Sequence, residues 1–365
     1  MRHTPSRNFG LDFVRAIAIT LVVASHCTYL LPQFNQQVTD AIRLLGATGV
    51  DIFFVLSGYL IGGIILKYIQ KGRTRRKDIF HFWKRRWLRT LPNYVLVLLV
   101  NFALLFVLDG MLNGTNWTYF LFIQNAITPH PDFFTEAWSL SIEEYAYLIL
   151  PTIIYMLLGK VNEHQQSKLF FWATSAVILI LFLFKIHFYV YMEIESYKDW
   201  SAGFRKVIIY RLDAIYYGFI LVYLYRVNHK LKKYRNLLFV LGLLLFMALH
   251  ALIVYYSILP QDNLLFYTVF YLPLISGSIA LTFSWFIALK PLNLWVHGVI
   301  YISKRSYAIY LVNYSIVLLT LQRYFEPSVS LVFLYLLCTV VLSELLYRFI
   351  ERPFMAYRER KFPKI

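Results

Sequence analysis

Charge is the scarce ingredient of this 365-residue sequence, and negative charge most of all. Asp, Glu, Lys and Arg together supply 15% of the residues, with 19 acids against 36 bases; ordinary soluble domains carry about 25%. So little charge excludes both a conventional water-soluble globule and a solvated disordered chain. Cysteine is rarer still. The two present, Cys27 and Cys338, lie in apolar runs, so neither a disulfide framework nor a thiolate metal site is expected. There is no visible tandem repeat, and no inverted pair of Gly- or Pro-broken apolar segments of the kind that marks many secondary transporters. What the chain has instead is apolar surface: 59% of its residues are hydrophobic and its mean hydropathy is +0.58.

A helix needs about 20 predominantly apolar residues to cross about 30 Å of hydrocarbon. Windows of that length predict ten spans, at 11–31, 44–66, 88–108, 138–159, 169–189, 207–225, 237–257, 264–289, 303–321 and 329–349. The expected fold is an all-α polytopic membrane protein of about ten transmembrane helices, with both termini on one side. The first span follows Arg2 and Arg7 but shows no small-residue cleavage site, so it reads as a retained span rather than a removable signal.

Positive residues are retained on the cytoplasmic side of a membrane protein. With the N-terminus placed there, 28 of the 36 bases fall on inside connections, five (Arg43, Lys198, Arg205, Lys206 and Arg323) fall outside, and three (Arg15, Lys185 and Arg211) fall within spans. Both termini are therefore expected to be cytoplasmic. The net charge of +17 then reflects topology, and nucleic-acid binding has no support. The longest outside connection, 109–137, has no Lys or Arg and is too short for a separate domain. Residues 1–365 read as one membrane domain, with an N-terminal tail 1–10, a basic cytoplasmic loop 67–87 and a cytoplasmic C-terminal tail 350–365.

Ionisable groups inside spans are the informative ones, since each costs about 2.5–3.5 kcal/mol on insertion scales and so seeks a partner or a polar cavity. In the first span Asp12, Arg15, Ile19, Val22 and His26 recur at spacings of 3, 4, 3 and 4. That pattern sets an acid, a base and an imidazole on one helix face, with Arg15 and His26 about 16 Å apart along the axis. Counted from the outer end of each span, His26, Asp51, Glu143, Arg211 and Asp213 share a depth of about 6–10 Å below the outer surface. Such a layer would suit a buried polar reaction chamber; interhelical salt bridges are the alternative reading.

Seven segments, in order along nearly the whole chain, resemble the acyltransferase-3 family of integral membrane acyltransferases: LDFVRAIAITLVVASH (11–26), GVDIFFVLSGYLI (49–61), FWKRRWLRTLP (82–92), WSLSIEEYAYLILP (138–151), RLDAIYYG (211–218), SYAIYLVNY (306–314) and IERPF (350–354). The resemblance implies a bacterial enzyme of the cytoplasmic (inner) membrane that O-acylates cell-surface or secreted sugars such as O-antigen, capsule or exopolysaccharide. It implies acetyl-CoA, or another acyl-CoA, as a cytoplasmic co-substrate rather than a bound cofactor, and a saccharide or glycolipid acceptor presented from outside. It also implies His26 as the catalytic histidine, and roles for Arg15, for Arg86 and Arg89 of an RxxR element, and for Ser141 and Glu143. One segment that commonly ends in His ends here in Asn313, which cannot titrate but can bind a sugar hydroxyl.

The chemistry of the residues agrees. An alcohol is a poor nucleophile at neutral pH, and a neutral imidazole is the side chain best matched to taking its proton as it attacks a thioester. His26 is the expected general base, with Glu143 orienting its ring and Ser141 a weaker third candidate. Direct transfer and a covalent acyl-His26 intermediate both fit the sequence. Arg85, Arg86 and Arg89 open the third span, where guanidinium forks and helix amides both favour phosphate, so they are the expected ligands of the CoA phosphates, with Arg15 along the path to His26. Asp12, Asp51, Arg211, Asp213 and Asn313 form the supporting polar layer.

The basic stretch 67–77 reads as positive-inside topology in contact with anionic lipid. Cys27 points about 100° away from His26 around the helix, and so is not read as a nucleophile. His187, His250 and His297 lack ligand spacing, so no metal is expected. The sequons at Asn113 and Asn116 would matter only in a eukaryotic secretory pathway. The functional alternative is a transporter or flippase of a saccharide or small molecule that uses the buried charges as a relay.

Overall fold

The computed structural model describes residues 8–32, 35–109, 116–227, 230–291 and 295–363; Arg2, Arg7, the Asn113 sequon and the last two residues lie outside them. The described residues contain helices and no strands. In chain order the long helices are α1 Phe9–Cys27, α2 Gln36–Gln70, α3 Arg76–Leu108, α4 Ala137–Leu158, α5 Glu163–Tyr191, α6 Ile208–Val227, α7 Arg235–Tyr255, α8 Phe266–Ile287, α9 Val296–Val312 and α10 Val329–Lys361. All except α9 are long and apolar enough to cross a membrane. α9 itself continues without a break through a π-helical segment, Asn313–Leu318, and a final stretch, Leu319–Tyr324, so the expected span 303–321 lies inside one helical run. The chain is an all-α polytopic membrane protein.

Its apolar surface is distributed as lipid requires. Leu99, Phe106 and Val107 on α3, Leu179 and Leu183 on α5, Leu244 on α7 and Phe333 and Leu337 on α10 are all exposed. Exposed side chains of this size would be a liability in water and are ordinary against acyl chains. The helices that carry most of the motif residues, α1, α2, α4, α6 and α9, pack inside this shell.

Small residues set the close crossings. A Cβ on Gly58 would lie 1.8 Å from the Ile215 carbonyl oxygen, so the motif glycine of α2 lets α6 approach backbone to backbone. A Cβ on Gly46 would fall 2.0 Å from the Ser25 Cβ, which locks α2 beside the turn of α1 that carries His26. α1 begins at an Asn8 cap whose side-chain oxygen accepts from the Leu11 amide at 3.0 Å, and Asp12 in its first turn complements the helix dipole.

Two stretches read as loop or tail are helical. α2 runs to Gln70 and α3 starts at Arg76, so the basic segment 67–87 is helix except for a short turn at Gly72. The hydropathy of a 20-residue window misses helix that projects beyond the hydrocarbon, where Lys, Arg and Trp suit the interface. Likewise residues 352–361 form the end of α10 and pack on the start of α3, with Arg85 bonded to Glu359 at 2.8 Å and to the Phe362 carbonyl.

Candidate active site

Two cavities lie one above the other along α1. The outer, of about 650 Å³, is lined by His26, Tyr29, Glu136, Arg205, Tyr314 and their neighbours. The inner, of about 640 Å³, is lined by Arg15, Lys67, Arg85, Arg86, Arg89 and Arg226, together with Ser57 and Glu143. Val50 and Tyr310 line both. α1 thus presents Arg15 to one chamber and His26 to the other, as their shared face and axial separation predict.

The hydrogen bonds around His26 assign its tautomer. The Asn313 Nδ2 donates to the carbonyls of Ile309 at 2.9 Å and Tyr310 at 2.8 Å. Its Oδ1 is therefore the acceptor, and it stands 2.5 Å from the His26 Nδ1. An amide oxygen has no proton to give, so Nδ1 carries the imidazole hydrogen and Nε2 holds the lone pair. Among the described residues Nε2 has no hydrogen-bond partner. The Tyr314 ring packs at 4.8 Å from the imidazole and fixes its plane. Asn313 opens the π-helical turn of α9, a local widening that often marks functional sites.

That turn also anchors a carboxylate. Glu136, immediately before α4, is 4% exposed and accepts from the Ser315 amide at 3.2 Å and from the Ser315 hydroxyl. Tyr310 donates to the Glu136 carbonyl at 3.3 Å and shares a 2.7 Å bond with the Ser139 hydroxyl. Glu136 is the buried acid of the outer cavity, and its position in the sequence, two residues before the WSLSIEE segment, gave little sign of it.

Glu143 does not stand beside His26. It lies in the inner cavity, where it accepts from Ser57 at 2.9 Å and Tyr147 at 2.6 Å and pairs with Arg86 at 3.3 Å. The Arg86 guanidinium also bonds the Tyr147 hydroxyl at 2.7 Å and lies over that ring. The expectation that Glu143 orients the imidazole is corrected: the ring is held by Asn313, and the carboxylate braces a guanidinium. Ser141 likewise stands apart from His26. It is fully buried, lines neither cavity, accepts from Gln124 at 2.6 Å and donates to the Ala137 carbonyl one turn earlier, which is the back-bonding habit of a helical Ser.

The common polar layer dissolves into separate groups. Asp51 is paired with Arg211, and Asp213 with Lys185 at 2.5 Å; all four side chains are 0–3% exposed and line neither cavity. These are interhelical pairs joining α2, α5 and α6, not the wall of a chamber. Counting depth from predicted span ends misled because α2 starts at Gln36, eight residues before the apolar window, and because depth says nothing of the side of the helix a residue occupies. Asp12, with Arg15 at 3.2 Å and Ser303 at 2.7 Å, belongs to the inner end of α1. Among the described residues no cluster of metal-ligating side chains occurs.

The acyltransferase domain family matches residues 8–348, and the chain belongs to that family. A protein named as a candidate O-acetyltransferase of Staphylococcus aureus strain COL is 28% identical over 97% of this chain and 58% of its own length. O-acetyltransferase OatA of S. aureus strain NCTC 8325 is 27% identical over 94% of this chain and 56% of its own length. The chain thus spans a little over half of the curated relatives it matches. No solved structure matches it at a significant level.

Proposed function

We propose that the chain is a transmembrane O-acyltransferase of the bacterial cytoplasmic membrane, moving an acetyl group from cytoplasmic acetyl-CoA to a hydroxyl of an extracytoplasmic saccharide. The observation that carries this reading is the pair of cavities on one helix: a basic chamber at Arg15 and a chamber at His26, meeting at Val50 and Tyr310. The inner chamber opens among residues at the Lys- and Arg-rich ends of the helices, which supports a cytoplasmic face. Its guanidinium groups suit the CoA phosphates, which are too heavily charged to enter hydrocarbon. The acceptor hydroxyl enters the outer chamber. His26 Nε2 takes its proton as the oxygen attacks the thioester carbonyl, and the tetrahedral intermediate collapses to the ester. The departing CoA thiolate then takes the proton back from the imidazolium. Asn313 holds Nδ1–H throughout.

The test supplies labelled acetyl-CoA to one side of proteoliposomes with oriented protein. Acylation of an external saccharide should require acetyl-CoA on the Arg85 side, and His26→Gln should lower it by about 10²–10⁴-fold with insertion intact. Transfer supported only by external acetyl-CoA would reverse the sidedness; normal transfer by His26→Gln would remove the base.

A further inference from the structure

The charges of the outer cavity do not cancel in place. Each of its acids already has a partner: Asp132 pairs with Lys198 at 3.3 Å, Asp40 accepts from Gln36 at 2.8 Å, and Glu136 is bonded by Ser315. Among the described residues, two adjacent cations have no carboxylate within ion-pair distance. Arg205 is only 7% exposed, donates one N–H to the Ala47 carbonyl at 2.9 Å, and lies 5.1 Å from the Trp138 ring centroid. Lys206 is half-buried, and its side chain makes no hydrogen bond among the described residues.

Their placement is built rather than incidental. Arg205 ends a π-helical turn, Ser201–Arg205, that forms part of the cavity wall. The Asn125 amide donates to the Lys206 carbonyl at 2.6 Å and to the Trp138 carbonyl at 3.1 Å, while the Asn125 carbonyl receives the Ile208 amide at 2.9 Å. One buried Asn therefore pins the backbone from Lys206 to Ile208, directly after Arg205, against the start of α4. A largely desolvated guanidinium beside an ammonium, without a counter-charge, is unfavourable unless an anion arrives. Burial and the fields of Arg205 and Lys198 pull the Lys206 ammonium down to about 8, against a partial upward pull from Asp132, as a cation cluster short of anions should show.

We propose that Arg205 and Lys206 form an oxyanion-binding subsite in the outer cavity, so that the saccharide it receives carries a carboxylate or a phosphate close to the acylated hydroxyl. The inference rests on the reading of this chamber as the acceptor site. The guanidinium fork offers two parallel N–H groups to an oxyanion. Trp138, Tyr29 and Tyr314 on the same walls offer faces for a sugar ring. The carboxylate could belong to an acidic sugar and the phosphate to a phosphorylated or lipid-linked one.

The experiment measures equilibrium binding of three probes, methyl β-D-glucuronoside, glucose 6-phosphate and methyl β-D-glucoside, to the purified full chain in lipid nanodiscs. At least one anionic sugar should bind tenfold or more tightly than the neutral glucoside, and Arg205→Gln and Lys206→Gln should each reduce that preference fivefold or more. Arg205→Lys, which keeps the charge, should retain most of it. Preference for the glucuronoside alone supports a sugar carboxylate; preference for the phosphate alone supports a phosphorylated acceptor. Lys206→Gln removes a side chain that makes no hydrogen bond among the described residues, so it tests the subsite even if Arg205→Gln misfolds. Three equal affinities, no measurable binding of either anionic sugar, or a preference untouched by Lys206→Gln would overturn the subsite. Transfer is scored separately: acyl transfer without charge preference overturns the subsite alone, and charge preference without transfer overturns the proposed activity alone.

Discussion

Replacing Asn313 by Ala removes the acceptor that fixes the His26 tautomer, and the size of the effect can be worked out from the bonds around it. The lost His26–Asn313 bond, 2.5 Å long, is worth about 0.5–1.5 kcal/mol net, which at about 1.36 kcal/mol per decade is a two- to thirteenfold loss in rate if the ring merely loosens. If the freed ring also shifts its proton to Nε2, the base is lost in that fraction, and the ceiling is the roughly hundredfold low end for loss of a general base. The expected result is a kcat about tenfold down, with acetyl-CoA affinity unchanged because Arg15 and the inner cavity are not touched. Since Asn313 acts through His26, the change should have no further effect in a His26→Gln background. The assay is transfer from labelled acetyl-CoA in proteoliposomes for the four members of the cycle. Wild-type kcat in a well-folded Asn313→Ala protein, or additive losses in the double variant, would refute the positioning role.

Two further predictions follow from charges the chemistry does not use and from one it does. Arg211→Met leaves Asp51 buried beside an apolar side chain and should destabilise the protein by about 3–5 kcal/mol, whereas Arg211→Met with Asp51→Leu should recover most of it; thermal unfolding in detergent reads the difference, and a single variant as stable as wild type would contradict the buried pair. Binding of an anionic sugar should weaken as pH rises through about 8, because Lys206, facing Arg205, Lys198 and Asp132, loses its proton there rather than near its ordinary value; Lys206→Arg should move the loss to higher pH, and a flat profile between pH 7 and 9 would count against the ammonium.

The sequence was most legible where a single helix carries the information. The 3, 4, 3, 4 spacing of α1 placed Arg15 and His26 on one face, and the structure gives each its own cavity. Legibility ended where the answer lies between helices. Depth counted from an expected membrane surface makes Glu143 and His26 neighbours, yet neighbours are decided by the side of the helix as well as by depth. Glu143 shares its site with Tyr147, one turn further along α4, and with Arg86 on the facing α3; the spacing of four can be read within α4, but no periodicity there encodes the meeting with Arg86. In the sequence Asn313 is a departure from a pattern. Only the carbonyls of Ile309 and Tyr310 show that its amide is turned to serve His26. Glu136 had no periodic neighbour at all, and the π-turn that binds it through Ser315 leaves no mark on a hydropathy window.

The division of the site into two chambers makes a last demand on the narrow place between them. Val50 and Tyr310 line both cavities and are each 8% exposed, so a path that joins the two cavities directly runs past them. Tyr310 is tethered at its hydroxyl to Ser139 and to the Glu136 carbonyl, and Phe53 meets its ring edge-on at 6.4 Å; of the two, Val50 is the side chain that can be enlarged without unmaking a hydrogen bond. A pantetheine arm carrying its acyl thioester is thin enough to pass between two such side chains, and a nucleotide is not. Val50→Trp should therefore block transfer while acetyl-CoA still binds below and a sugar still binds above, since neither set of polar contacts includes this residue. Val50→Ala should act oppositely and admit longer acyl chains, raising their rate relative to acetyl. Loss of both binding activities in Val50→Trp would mean that overpacking had disordered the helices, and Val50→Ala then carries the test through the acyl-length preference alone. Full transfer by a Val50→Trp protein that binds both partners would show that the acyl group reaches His26 by another route, and the alignment of Arg15 with His26 along α1 would then need a different explanation.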